Sequence, residues 1–180
     1  MFNQVSIIGC GLIGSSIFKG LKKLESIKKI ITYDNDKSVT DIIKKDKLSD
    51  EIFDSPSEAV KNSDLVVIAT PLSSFESVLN SIKDNLKTGS ILTDTCSVKT
   101  GVNKIFRKMN LKNSICIPGH PVAGTENSGP KAGIHNLFEN RWTILTPDKN
   151  IDLKAVKKVS SFWESMGSKV KIMSDEDHDK

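Results

Sequence analysis

The segment Val5-Ser6-Ile7-Ile8-Gly9-Cys10-Gly11-Leu12-Ile13-Gly14 decides how the rest of the chain is read. Its first four residues are a short apolar run of the kind that forms a buried strand, and Ile13, Ile17, Leu21 and Leu24 then recur at helical spacing. Between the two lies GxGxxG. That pattern is weak alone, but here it follows a predicted strand and opens a predicted helix. An acidic residue, Asp34, lies twenty positions after the last glycine, at the end of the next predicted strand, Lys29 to Tyr33. This is the context of a dinucleotide-binding turn. Gly9 permits the tight turn, Gly11 lets the backbone approach a pyrophosphate, and Gly14 allows close packing of helix on strand. The helix N-terminus, at Leu12 and Ile13, offers unpaired N–H groups to phosphate oxygens.

Asp34 also bears on which dinucleotide is bound. A carboxylate at this position accepts hydrogen bonds from both ribose hydroxyls of NAD and repels the 2′-phosphate of NADP, which an arginine ordinarily meets. Asn35, Asp36 and Lys37 supply no arginine, so NAD is expected over NADP.

Outward from this turn the chain alternates short strands and helices. A polar helix is predicted from about Lys37 to Lys45, and Ser55-Pro56-Ser57-Glu58 has the spacing of a capping box. Leu65 to Ala69 is the most apolar run, as suits a central parallel strand buried on both faces. A helix follows Thr70-Pro71-Leu72, with Ser73 and Glu76 again at capping-box spacing. Ser90 to Asp94 reads as a strand and Val98 to Met109 as a helix. Such alternation implies βαβ units and an α/β fold: a doubly wound, mostly parallel, Rossmann-type sheet with helices on both faces. After Ser114 the rhythm changes. A short strand at Ile115 to Ile117 leads into the loop GHPVAGTENSGPKAG, Gly119 to Gly133. A strand at Trp142 to Leu145, a helix carrying Leu153, Val156, Phe162, Trp163 and Met166, and a last strand at Lys169 to Met173 follow. Residues 1–173 are expected to form one dinucleotide-binding domain. The acidic stretch 174–180 resembles the first turn of a further helix, where negative charge complements the dipole.

In an open α/β sheet a ligand lies beyond the carboxyl ends of the strands. That rule gathers Thr70, Pro71, the segment Asp94 to Ser97 and the Gly119 loop around one crevice, and it brings His120 near the nicotinamide end. Oxidation of an alcohol there needs a group to take the hydroxyl proton as hydride leaves. Histidine, with an ordinary pKa near 6.5, suits that role at neutral pH. His135 lies in a less defined stretch and His178 near the end of the chain, so both are poorer candidates.

Composition narrows the classes further. With 180 residues, 37% hydrophobic and 27% charged, the chain belongs with globular domains that fold without disulfides or metals. The net charge of +4 is mild, and the lysine pairs (Lys22 with Lys23, Lys44 with Lys45, Lys157 with Lys158) read as solvated helix faces. A small anionic ligand is expected rather than nucleic acid. The three cysteines, Cys10, Cys96 and Cys116, lack the spacing of a zinc site or a disulfide framework, so reduced thiols and no metal are expected. No run approaches the ~20 apolar residues that span a bilayer, and a cytoplasmic protein without membrane contact is anticipated.

Four stretches carry a resemblance: GCGLIGSS at Gly9 to Ser16, TDTCSVK at Thr93 to Lys99, GHPVAGTENSG at Gly119 to Gly129, and LFENRWTILTP at Leu137 to Pro147. Together with SDEDHD, which begins at Ser174, they make the chain similar to the N-terminal dinucleotide domain of the prephenate dehydrogenase family, including arogenate and cyclohexadienyl dehydrogenases. The joined GHPxAGTExSG and SVK motifs are far more specific than GxGxxG. The resemblance implies NAD-dependent oxidative decarboxylation of prephenate to 4-hydroxyphenylpyruvate, or of arogenate to tyrosine, in tyrosine biosynthesis. It implies that His120 takes the proton of the ring hydroxyl and that Ser97 helps to orient that hydroxyl and the nicotinamide. Thr125 and Glu126 would border the substrate; Glu126 reads equally well as a solvent-facing loop carboxylate. Lys99 has two readings, attraction of the anionic substrate or a water-facing position in the first turn of its helix. Arg141 and Trp142 read as anchors for the loop's return to the sheet.

Family members continue into a helical domain that forms a homodimer and supplies an arginine for the substrate carboxylate; this sequence is expected to stop where that domain begins. Two other readings stay open: a related NAD-dependent β-hydroxyacid or imino-acid dehydrogenase, against which the GHPxAGTExSG loop argues, and a non-catalytic or truncated dinucleotide-binding module that needs a helical partner.

Overall fold

The computed structural model describes residues 2–24 and 27–180. The strand before the glycine turn is β1 (Gln4–Ile8), and the helix after it is α1 (Leu12–Leu21). There follow β2 (Lys29–Tyr33), α2 (Lys37–Lys45), β3 (Glu51–Ile52), α3 (Pro56–Ala59), β4 (Leu65–Ile68), α4 (Leu72–Ile82), β5 (Ser90–Asp94), α5 (Lys99–Met109) and β6 (Ser114–Cys116). These six strands form one parallel sheet in the order β3-β2-β1-β4-β5-β6. The order reverses between β1 and β4, as it does in two-halved dinucleotide-binding sheets.

Alternation along the strands explains why helices cover both faces. Val5 and Ile7, Leu65 and Val67, and Ile91 point to one apolar cluster, while Ile8, Val66, Ile68 and Leu92 point to another. With a side-chain period of two, such runs bury both faces at once. The first face packs on Ile17 and Phe18 of α1 and on a later helix, α6 (Leu153–Ser165). There Trp163 is fully buried and meets Phe138 and Phe162 edge-on at centroid distances of 5.3 and 5.4 Å. Edge-on pairs add about 0.5–1.5 kcal/mol each beyond their buried area. The second face packs on Phe75 and Leu79 of α4 and on Val102 and Phe106 of α5.

The chain beyond β6 departs from the sequence reading. The stretch that opens the glycine-rich segment is not loop throughout: Gly119–Pro121 is a strand, β7. It pairs antiparallel with β8 (Trp142–Leu145), which pairs parallel with β9 (Lys169–Ile172), giving a separate three-stranded sheet. Three residues are too few for periodicity to reveal, and the pairing is long-range. The terminal acidic turn is helical, as expected: α7 (Asp175–His178) is capped by Ser174, whose hydroxyl oxygen accepts the Asp177 N–H at 3.1 Å.

Neither capping box forms. Ser55 occupies the N-cap of α3, but its hydroxyl pairs with Ser57 Oγ at 2.7 Å. Ser73 lies inside α4, whose N-cap is Pro71. That helix starts directly after the β4 turn, which places its N-terminus at the carboxyl edge of the sheet. The two-residue β3 was also absent from the sequence reading, being shorter than any pattern of alternation. Lys22, Lys23, Lys44, Lys45, Lys157 and Lys158 are all exposed.

Candidate active site

At the carboxyl ends of β1 and β4 the sheet opens into a cleft of about 840 Å³, floored by Gly9 to Ile13 and walled by Asp34 on the β2 side and by Thr70, Pro71 and Thr95 to Val98 on the β4 and β5 side. Of the residues that the sequence reading gathers around the crevice, Gly9, Gly11, Leu12, Ile13, Asp34, Thr70, Pro71 and Ser97 line this surface, whereas Gly14, Asp94 and His120 do not.

Each glycine of the turn has its own reason. Gly9 adopts φ +94°, and a Cβ there would lie 2.7 Å from the Ala69 carbonyl oxygen. At Gly14 a Cβ would sit 2.1 Å from the Gly9 carbonyl oxygen, so helix and turn touch backbone to backbone. Gly11 is different: a Cβ would meet no protein atom within 4 Å. The chain's own packing does not require glycine there, whereas close approach of a ligand to the backbone does.

Gly11 is also the N-cap of α1, with no capping side chain and no acidic residue in the first turn. The first N–H groups of a helix have no intrahelical acceptor, and the dipole adds partial positive charge. An uncapped N-terminus facing a cleft suits a diphosphate. At the far end Asp34 is held by two backbone donors: Cys10 N–H reaches Oδ2 at 2.7 Å and Asp36 N–H reaches Oδ1 at 2.9 Å. Both carboxylate oxygens retain accepting capacity for ribose hydroxyls. Thr70 packs its methyl against Gly9, and its hydroxyl is buried with no partner among the described residues. These residues fit a dinucleotide.

His120, on β7, is not among the residues that line this cleft, and a buried ion pair anchors the residue before it. Lys99, fully buried, donates to Asp94 Oδ2 and to the Gly119 carbonyl oxygen, each at 2.6 Å. Asp94 Oδ1 accepts the Gly119 N–H at 3.0 Å and Oδ2 the Cys96 N–H at 2.8 Å. The water-facing reading of Lys99 does not hold, because the side chain is fully buried and its ammonium is taken up by Asp94 and Gly119. It closes the turn from β5 to α5, and the same turn, Thr95 to Val98, lines the cleft. The segment after β7 is fastened to helix α1. Lys19 donates to the Gly133 carbonyl oxygen at 2.7 Å and the Ile134 N–H to Ser16 Oγ at 3.1 Å.

The ring of His120 bonds to a residue that the sequence reading ranks as a poorer candidate. Among the described residues its partner is His178, Nδ1 to Nε2 at 2.8 Å, and no hydrogen bond joins it to Ser97, which is exposed along the cleft. His178 was set aside as an end residue, yet its side chain is 5% exposed. Burial first, then the neighbouring His178 and the Lys99 ammonium, push the His120 imidazole down from its ordinary 6.5 to about 4. The ring is then neutral at pH 7 and able to accept a proton. Thr125 and Glu126 are exposed and lie outside the cleft lining; the Thr125 hydroxyl makes only a local contact with Asn127. Burial pushes the Cys10, Cys96 and Cys116 thiols up to about 12, which leaves them protonated and unreactive at neutral pH. No helix among the described residues is long and apolar enough to cross a membrane.

With this geometry in place, comparison with known proteins is informative. Residues 17–172 match the family model described as prephenate dehydrogenase, nucleotide-binding domain. The chain is 37% identical over 179 residues to a cyclohexadienyl dehydrogenase of Zymomonas mobilis, covering 99% of this chain and 61% of that protein. It is 33% identical over 185 residues to a prephenate dehydrogenase of Lactococcus lactis, covering 98% of this chain and 48% of that one. A crystal structure of prephenate dehydrogenase from A. aeolicus, in complex with hydroxyphenyl propionate and NAD+, superposes with a TM-score of 0.87 at 31% identity, over 99% of this chain and 62% of that one. The chain thus spans about half to three-fifths of the length of these relatives.

Proposed function

The chain belongs to the prephenate dehydrogenase family, and on that premise we propose that it carries the dinucleotide site and proton acceptor of an oxidoreductase that converts prephenate, or arogenate, by NAD-dependent oxidative decarboxylation. The single observation that carries this reading is the placement of a neutral, half-buried His120 on a strand anchored to the cleft-lining turn at Asp94 and Lys99. A relative named for prephenate has been crystallised with NAD+ and a hydroxyphenyl ligand, which supports the same chemical class here.

Gly9, Gly11, Gly14 and the N-terminus of α1 would hold the diphosphate, and Asp34 the adenosine ribose. NAD, when bound, supplies the hydride acceptor. Thr70 and Pro71 wall the cleft beside Gly9, and Ser97 stands on the facing turn, where its hydroxyl can orient the substrate's ring hydroxyl. His120 accepts the hydroxyl proton as the carbonyl forms. Loss of carbon dioxide then restores aromaticity and leaves a phenolate, which takes up one proton, available from protonated His120, to give the phenol. General-base assistance of this kind contributes about 10²–10⁴-fold.

Arogenate differs from prephenate at the side chain, away from the reacting carbon, so both substrates belong in the test. Purified full-length protein is mixed with NAD and each substrate while NADH absorbance is followed. Turnover with one or both, lost in His120→Asn with NAD binding intact, is the expected result. Undiminished turnover in His120→Asn would remove this residue from the mechanism. Turnover with neither substrate, alongside normal NAD binding, would favour a non-catalytic dinucleotide module.

A further inference from the structure

His120 is the inner member of a chain of three side chains that closes on the start of helix α5. Its Nδ1 lies 2.8 Å from His178 Nε2, and His178 Nδ1 lies 2.6 Å from Asp179 Oδ1. Asp179 in turn accepts the Lys99 N–H on Oδ1 at 2.9 Å and the Thr100 N–H on Oδ2 at 2.8 Å, and the Thr100 hydroxyl also donates to it. The terminal turn α7 is thereby fastened to α5, and the two rings meet edge-on, with centroids 5.1 Å apart and planes inclined at 68°.

We propose that His178 and Asp179 are positioning residues that fix His120 in the Nδ1–H tautomer, leaving Nε2 as the lone proton acceptor of the site. This rests on the reading of His120 given above. The logic follows from donor and acceptor capacity. An ionised carboxylate only accepts, so the Asp179 contact requires the His178 proton to sit on Nδ1. With His178 neutral, its Nε2 then carries a lone pair, and the contact with His120 requires the proton on His120 Nδ1. With His120 neutral, its Nε2 carries the remaining lone pair, and among the described residues that atom has no hydrogen-bond partner. Each tautomer is set by the group behind it, as metal-free histidines are commonly oriented by a carboxylate or carbonyl on their other nitrogen.

The same chain gives the accepted proton somewhere to go. As the substrate O–H bond breaks, an N–H bond forms at His120 Nε2; the Nδ1 proton can then pass to His178 Nε2, so that the positive charge rests beside the Asp179 carboxylate. No electrons are exchanged in these transfers. The charged neighbours of the pair are Lys99 on α5 and Asp179. Lys99 disfavours charge on His120, and Asp179 favours it there. Although burial opposes it, the N–H groups of Lys99 and Thr100, with the Thr100 hydroxyl and His178, hold Asp179 well below the usual carboxylate range. It therefore stays ionised, and an acceptor, across the working pH range.

The test uses full-length protein, histidine-labelled with 15N, whose ring-nitrogen resonances report the tautomer directly. Wild type should give His120 with Nδ1 protonated and Nε2 bare. His178→Gln keeps an oxygen near the former Nε2 and should preserve that tautomer; His178→Leu removes the acceptor and should let His120 populate the Nε2–H form. In turnover, His178→Leu should lower kcat about 10²–10³-fold, within the range of general-base assistance, with KM for substrate and Kd for NAD nearly unchanged. His178→Gln should recover at least part of that loss. A merely structural His178 would instead lower NAD affinity and thermal stability in parallel, with no ordering between Gln and Leu. Nε2–H on His120 in the wild type, or a tautomer indifferent to His178→Leu, would overturn the proposal. The resonances need no turnover, so a protein with the expected tautomer that oxidises neither prephenate nor arogenate would sustain the relay and sink the substrate assignment alone.

Discussion

Lys99 Nζ sits 2.6 Å from Asp94 Oδ2, and neither side chain is exposed. This ion pair lies at the root of the site, because the same two side chains grip both backbone groups of Gly119, the residue before His120. A buried pair is a poor source of net stability, since desolvation offsets its attraction, but removal of one partner strands a charge. Lys99→Met is expected to destabilise the fold by about 3–5 kcal/mol in urea titrations. The double variant with Asp94→Asn should be less destabilised than the sum of the two single changes, because the stranded charge is gone. Strict additivity would contradict the pairing.

Gly11 and Gly14 separate binding from folding. Since a Cβ at Gly14 would fall 2.1 Å from a carbonyl oxygen, Gly14→Ala forces backbone apart. Overpacking of this kind costs about 1–3 kcal/mol, and a lower melting temperature together with weaker NAD binding is expected. A Cβ at Gly11 meets nothing in the chain within 4 Å. Gly11→Ala should therefore melt as wild type does, while calorimetric titration with NAD shows a loss of affinity. Equal NAD affinity in both proteins would mean that the diphosphate does not pass over Gly11.

Cofactor choice turns on Asp34. Its carboxylate is fixed by the Cys10 and Asp36 amides, and in the proposed site it meets the ribose hydroxyls of NAD and repels the 2′-phosphate of NADP. Wild type should bind NAD at least about tenfold more tightly than NADP, a gap of roughly 1.4 kcal/mol. Asp34→Ser should narrow the gap from both sides, weakening NAD and improving NADP. A preference for NADP in the wild type would reverse the assignment.

The depressed pKa of His120 predicts two acid responses. Its neutral form is the acceptor, so kcat/KM should hold from pH 7 downward and fall only as pH approaches about 4. Stability should move first. Unfolded chains protonate histidine near 6.5, whereas the folded ring resists until about 4, so the unfolded state binds more protons between those values. Stability contributed by this group is thus complete above pH 6.5 and declines as pH falls toward 4. His120→Asn should flatten that part of a urea midpoint-against-pH curve. Below it, Asp36, Asp64, Asp177 and Asp179, whose folded pKa values are lowered, lose their stabilising hydrogen bonds as they protonate, so all variants should weaken together.

Much of the fold was legible because its signals are local. The glycine turn, the strands at Val5, Lys29, Leu65 and Ser90, and the helices that follow each depend on neighbours within a few residues, through φ freedom and apolar period. The two capping boxes misled for the same reason, since a spacing of three identifies a cap only when the tertiary start of the helix agrees. At Ser73 the cap lies two positions earlier, at Pro71, and the helix begins at Leu72. His178 was overlooked because chain-end position stood in for exposure. The signal that could have raised its standing was the His178-Asp179 pair itself, a ring nitrogen adjacent to a carboxylate.

By itself the sequence determined a dinucleotide turn, its acidic partner twenty residues on, and a parallel sheet whose strands are apolar on both faces, because backbone conformation and burial period are written in adjacent residues. Only the tertiary structure decided that Lys99 is buried against Asp94, that Gly119 to Pro121 is a strand of a second sheet, and that His120 meets a histidine 58 positions away while Asp179 closes the chain 80 positions from Lys99. Those facts depend on which polar groups are drawn together out of water, and a buried donor must find its acceptor wherever in the sequence it lies.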